Sequence, residues 1–164
     1  MGESVAFKCR KCGKAYSAWT GIGSLYPVEY RELTKEIAAG KYGQEWKVAF
    51  TGTKYAAVDG EETLFVCDHC GNWKTGKDIT IWAPNDPETF AQKQFGIKTV
   101  GEWGYVPYMM RADLEEDFHV LKPYRCSCGK CGRTMRNAGA DPVRELPCPK
   151  CGTVNEAQNG ILWD

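Results

Sequence analysis

Eight of the nine cysteines fall into four copies of one short pattern: Cys9-Arg-Lys-Cys12-Gly13, Cys67-Asp-His-Cys70-Gly71, Cys128-Gly-Lys-Cys131-Gly132 and Cys148-Pro-Lys-Cys151-Gly152. Two thiolates two residues apart can hold one ion from a single tight turn, and two such turns complete a tetrahedron with metal–sulfur bonds of about 2.3 Å. The Gly after each second Cys suits a positive φ, which a residue without Cβ reaches freely, and this lets a backbone N–H face a thiolate. A single Cys-x-x-Cys is also compatible with a redox dithiol, but four with the same trailing Gly point to metal knuckles. Taken in chain order, the spacing predicts one site from Cys9, Cys12, Cys67 and Cys70 and a second from Cys128, Cys131, Cys148 and Cys151, hence two metal ions per chain.

Four thiolates leave an ion no open coordination position, whereas a catalytic zinc keeps one. The two histidines, His69 inside the second knuckle and His119 ahead of the third, supply no crowd of nitrogen ligands. No Ser-His-Asp set, His-Glu-x-x-His run or complete phosphate loop is present, so the sequence gives no positive sign of an enzyme and identifies no small-molecule substrate. The loop 17–24 contains Gly21-Ile-Gly23, which reads as a sharp turn and not as a phosphate cradle, because no strand–turn–helix unit surrounds it. Cys126 is out of register with the four knuckles and reads as a free thiol beside the second site. Its functional alternative is redox sensing, in which it forms a disulfide with a ligand such as Cys128 and the metal is ejected.

The knuckles also repeat in their surroundings. Cys9 to Tyr16 and Cys128 to Met135 both run Cys-x-x-Cys-Gly, a basic residue, a small residue and a large apolar one, while Trp82 and Trp163 each lie fifteen residues after Cys67 and Cys148. With these residues the chain resembles a duplicated zinc ribbon, the rubredoxin-like knuckle fold, over 7–16, 64–83 and 124–164. The resemblance implies knuckles at the tips of short hairpins. The stretch from Phe7 to Tyr16 looks like a rubredoxin first knuckle and Cys148-Pro-Lys-Cys151-Gly152 like its second, so iron stands as the alternative to structural zinc, since tetrathiolate sites accept either metal. The remaining segments are similar to those of small uncharacterised bacterial zinc-ribbon proteins, a likeness that implies no function.

Apolar periodicity outlines the elements that must hold the knuckles. Pro27 and Gly40 frame a helix over 27–39 with Tyr26, Tyr30, Leu33 and Ile37 on one face, and Trp46 and Phe50 mark a second over 43–51. Both lie between the first two knuckles and are expected to pack over that ribbon's hairpins. Residues 55–67 read as strand, turn and strand about Asp59-Gly60, and 78–83 as a strand. Asp86-Pro87 and Gly96 bound a helix over 87–95, and Phe118 to Cys126 alternate as a strand. The aromatic stretch 103–110, within the poorly periodic segment 96–117, reads as an inter-ribbon linker folding onto the core, with an exposed contact surface as the alternative. The fold class is therefore α+β: two zinc ribbons of short antiparallel hairpins with inserted helices. Residues 1–83 would form the first ribbon with an insert at about 17–63, 84–117 a helical and aromatic linker, and 118–164 the second ribbon.

Hydrophobic residues make up 43% of the 164-residue chain, enough for a core. The N-terminus lacks a cationic segment followed by an apolar one, and no apolar run is long enough to span a membrane. Paired thiols in odd total number fit a reducing compartment, the cytoplasm. The zero net charge conceals polarity. Lys8, Arg10, Lys11 and Lys14 stand in an acid-free stretch, as do Lys122, Arg125, Lys130, Arg133 and Arg136, and the remaining chain has twelve basic against twenty-one acidic residues. These cations can offset thiolate charge, or with Tyr16 and Tyr124 they can contact phosphates and unstacked bases. The function expected is a non-enzymatic zinc-binding scaffold that binds nucleic acid or protein. A rubredoxin-like electron-transfer or thiol-redox protein and an accessory subunit of an enzyme complex are the alternatives.

Overall fold

The structure is a computed structural model that describes residues 2–139 and 145–163, with the side chains of Asn159 and Trp163 left out. Residues 140–144 and 164 of the expected second ribbon, and the side chain of Trp163, lie outside the described residues. In chain order the elements are β1 (Gly2–Lys8), β2 (Ala15–Thr20), α1 (Tyr26–Ala39), α2 (Gln44–Thr51), β3 (Ala57–Val58), β4 (Glu62–Val66), β5 (Trp73–Lys77), β6 (Ile81–Pro84), α3 (Pro87–Ala91), β7 (Gln94–Phe95), β8 (Lys98–Thr99), α4 (Val100–Trp103), α5 (Arg111–Asp117), β9 (Phe118–Lys122), β10 (Arg136–Gly139), β11 (Glu145–Pro147), β12 (Val154–Glu156) and β13 (Asn159–Trp163). All strand pairs among the described residues are antiparallel, and the fold is α+β.

The chain forms two units, each assembled from separated segments. One comprises residues 1–24, 61–77 and 125–164; the other comprises 25–60 and 78–124. They are not the consecutive blocks 1–83, 84–117 and 118–164 that the order of the knuckles suggests.

The first unit holds all four knuckles. It contains the sheets β13-β1-β2 and β10-β4-β5 and the hairpin β11-β12. The two three-stranded sheets have the same plan: a hairpin carries one knuckle at its tip, and its leading strand also pairs with a strand that follows another knuckle. Val5, Phe7, Ala18, Leu64 and Leu146 form the core between these strands. Full burial of such a Val, Leu or Phe side chain contributes about 1.5–3 kcal/mol.

The second unit has no knuckle. Helix α1 ends where the sequence indicates, at Gly40 with φ of 89°, and it buries Tyr30, Leu33 and Ile37. That face packs with Val58, Ile79 and Ile81, so the helical insert contributes to this unit's own core. Asp59-Gly60 is not a hairpin turn either. Strand β3 pairs with β6, and β4 with β5, so the two apolar runs on either side of it serve different sheets. Helix α3 is shorter than expected because Gly96, with φ of 62°, turns the β7–β8 hairpin instead of stopping a helix. The 103–110 stretch divides: Val106 and Met109 are buried, while Tyr105 and Met110 are exposed.

Candidate metal centres

Each knuckle is the same hydrogen-bonded loop. The N–H of the trailing Gly donates to the carbonyl of the first Cys at 2.8–2.9 Å, and the N–H of that Cys donates at 2.8–2.9 Å to the carbonyl five residues on, in Lys14, Asn72, Arg133 and Thr153. The four glycines, 13, 71, 132 and 152, sit at φ of 71°, 69°, 72° and 73°. The left-handed region disfavours a side chain, which is why glycine recurs there.

The loops bring the eight cysteines together in two groups, but not in the order expected. Cys9 and Cys12 meet Cys148 and Cys151, while Cys67 and Cys70 meet Cys128 and Cys131. The first and fourth knuckles therefore enclose the second and third, which corrects the pairing of neighbours along the chain. The matching parts of the two sites are the hairpin knuckles, first and second, and the later knuckles, fourth and third. The sequence overlay of first on third does not follow this symmetry.

The geometry fits one ion per group. The sulfurs of each group lie within 4.8 Å of one another. Cys9 and Cys151 are 3.5 Å apart, Cys12 and Cys148 3.7 Å, Cys67 and Cys131 3.5 Å, and Cys70 and Cys128 3.6 Å. A tetrahedron with bonds of about 2.3 Å has edges of about 3.8 Å. In each knuckle the first cysteine is buried and the second is more accessible.

Electrostatics agree. The N–H of Cys12 holds the Cys9 thiol down at about 6 against the opposing effect of burial, with the N–H of Lys11 adding to it. At Cys128 burial pushes upward, and the N–H groups of Cys131 and Lys130 with the Asn72 side-chain amide prevail, bringing the thiol down to about 6. The partners go the other way. At Cys12 the N–H of Lys14 favours the thiolate, but burial and the sulfurs of Cys9, Cys148 and Cys151 outweigh it and push the thiol up to about 11. Four anions so close cannot coexist without a cation, and a divalent metal ion removes that conflict.

Two asparagines complete the sites. Asn155, buried at 2% exposure, accepts from the Arg10 N–H at 3.1 Å and donates to the Tyr16 hydroxyl at 3.1 Å and the Thr153 carbonyl at 2.7 Å. Asn72 directs its amide at Cys128 Sγ, 3.6 Å away. The sequence reading missed both. Asn72 follows a knuckle glycine directly, a position worth inspecting, but nothing in spacing marks Asn155.

The other residues singled out are placed as follows. Cys126 lies outside both groups; it is buried, with Sγ 3.9 Å from Met135 Sδ. His69 is exposed, and His119 meets Asn85 at 3.1 Å. Lys122 is paired with Glu45 and lies over the Trp46 ring, and Arg136 is paired with Asp68 at 3.2 Å. The side chains of Lys8, Arg10, Lys11, Lys14, Arg125, Lys130 and Arg133 are exposed and have no ion-pair partner among the described residues. Tyr16 stacks on Phe7 at 4.8 Å and its hydroxyl is bonded to the Leu146 carbonyl, while Tyr124 packs with Trp46, so neither ring is free to take a base. No described helix is long and apolar enough to cross a membrane.

No protein-family model matches the chain, and comparison with curated proteins and with solved structures returns no match.

Proposed function

We propose that the protein is a non-enzymatic zinc-binding scaffold, a duplicated zinc ribbon, whose knuckle unit binds single-stranded nucleic acid. The observation that carries this reading is the company the first centre keeps. Lys8, Arg10, Lys11, Lys14 and Lys150 all stand on its two knuckles or on the strand leading into them, exposed and without ion-pair partners among the described residues. Four thiolates around a divalent ion carry a net charge of about minus two, so this cluster exceeds what local neutralisation requires.

A stacking surface accompanies the charge. In the sheet β13-β1-β2, Ser4 faces Trp19 on one side and Ile161 on the other, so these three share one face. The inward residues Val5 and Phe7 are buried, which leaves Ser4 and Lys8 on the outer face. Trp19 is 44% exposed there. Trp19 thus shares a sheet face with Lys8, on the hairpin whose tip carries the cationic loop, and aromatic side chains on a sheet together with cations are the groups that take unstacked bases and their phosphates.

The test is fluorescence anisotropy with labelled single-stranded oligonucleotides and zinc-loaded protein. Binding should fall steeply with salt, weaken with Lys11→Glu and Lys14→Glu, and weaken with Trp19→Ala while the salt slope stays unchanged. Salt-independent binding, or none at low ionic strength, would shift the reading to a protein partner. Elemental analysis decides the metal: about two zinc equivalents are expected, and an iron-loaded chain with a visible charge-transfer band would favour the electron-transfer alternative.

A further inference from the structure

The second unit contains a cavity of about 760 Å³ that the metal centres do not use. Its walls are aromatic. Tyr26 and Tyr108 pack at 5.0 Å and Trp103 and Tyr105 at 5.3 Å, and Trp103 and Tyr105 keep substantial exposed area. The volume falls in the range of small-molecule sites, which are mainly apolar with a few polar groups that orient the ligand.

Those polar groups have one sign. No carboxylate lines the cavity, and its two cations are Arg31 and Lys35 on helix α1. Lys35 is engaged by Glu32 at 2.8 Å. The Arg31 guanidinium has no ion-pair partner among the described residues. The hydroxyls of Tyr26, Tyr55 and Tyr105 likewise lack a hydrogen-bond partner among the described residues. Tyr55 adds a separate sign: at φ of 57° it is the one non-glycine with positive φ among the described residues, and it stands in the cavity wall. Left-handed strain at a bulky side chain concentrates at ligand clamps and active sites.

We propose that this cavity binds a small planar aromatic carboxylate. The rings would hold the ligand's plane by offset or edge-on stacking. The Arg31 fork would take the carboxylate through two parallel N–H···O bonds. One unpaired guanidinium balances one negative charge, which favours a monocarboxylate over a phosphate dianion. The proposal stands independently of the nucleic-acid reading, because every residue it uses lies in the unit without knuckles.

The experiment compares 2-naphthoate with the isosteric uncharged 2-naphthamide by isothermal titration calorimetry on the full zinc-loaded chain, with adenosine monophosphate and a decaproline peptide as further arms. The naphthoate should bind at least about tenfold more tightly than the amide, the factor expected of a hydrogen bond to a charged group. Arg31→Leu should abolish that preference, whereas Arg31→Lys should keep part of it. Trp103→Ala should weaken both probes alike. Thermal unfolding and metal content of each variant establish that it is folded. Equal affinity for acid and amide, a preference that survives Arg31→Leu, tighter binding of the nucleotide or the peptide, or no binding of naphthoate at millimolar concentration would each overturn the assignment.

Discussion

Asn155 joins the two knuckles of the first candidate metal centre without being one of its four cysteine ligands. Its oxygen takes the Arg10 N–H and its amide reaches Tyr16 and Thr153, so it ties the first knuckle to the fourth. Asn155→Ala should remove this buried side chain's three hydrogen bonds, the one from the part-buried Arg10 N–H among them, and cost about 1–3 kcal/mol, read as a lower urea midpoint of metal-loaded protein. Because the contact concerns one centre only, chelator competition should show one metal released faster and the other at the unchanged rate; equal acceleration of both would disprove the local role. Tyr30 supplies a pH-dependent counterpart. Burial pushes its hydroxyl up to about 12, with the Val58 N–H opposing and the Asp59 charge adding to the rise. The folded state therefore favours the neutral phenol, whose contribution is complete below the unfolded value of about 10 and is lost as pH climbs through about 12. Tyr30→Phe should lower stability at neutral pH by about 1 kcal/mol, since the Val58 N–H loses its acceptor, yet flatten the alkaline loss between pH 10 and 12. Parallel pH–stability curves for the two proteins would contradict this.

At the scale of elements the nested pairing is open to a direct count. Cys9→Ser with Cys148→Ser strikes one centre twice under the observed arrangement and should leave about one bound metal per chain. Cys9→Ser with Cys67→Ser strikes both centres and should leave little. Pairing of neighbouring knuckles demands the reverse, so inductively coupled plasma analysis of the two double variants separates the schemes. The sequence made the ligands legible because Cys-x-x-Cys-Gly encodes a local loop, and it made α1 legible because Pro27, Gly40 and the Tyr30–Leu33–Ile37 face are local signals too. Partner choice among knuckles is not local. Loop closure costs only about 0.6 kcal/mol more for each doubling of length, so a short spacer such as that between Cys131 and Cys148 is a weak guide against core packing. What decides it is the shared burial of Phe7, Leu64 and Leu146, together with β13 on β1 and β10 on β4. The same reasoning covers Asp59-Gly60. Its dipeptide matches a hairpin turn, but Asp59 is buried and joined to Arg111 at 2.9 Å, a long-range ion pair that no window of sequence displays.

For the whole molecule, the two units should differ in what keeps them folded. The knuckle unit is built from short strands with a small apolar core, and structural zinc in such sites contributes on the order of 10–16 kcal/mol of folding free energy. The other unit draws on two apolar clusters, one around Ala57, Trp82, Phe90, Val100, Leu114 and Phe118 and one around Tyr30, Leu33, Ile37, Val58, Ile79 and Ile81. No cysteine falls within its segments. Buried charge is also satisfied within it, with Asp78 accepting from the Thr80 N–H and hydroxyl and from Arg111. Metal removal should therefore act unevenly. After treatment with a strong chelator and a reductant at neutral pH, hydrogen exchange followed by mass spectrometry should show peptides from 1–24, 61–77 and 125–139 losing protection, while peptides from α1 and from the β3-β6-β9 sheet retain it. Returning zinc should restore the lost protection, because the ligands reassemble from thiols and not from disulfides. Cooperative loss of protection across both sets of peptides would mean that the unit without knuckles depends on the metal for its fold, and its apolar clusters would then be insufficient to sustain it.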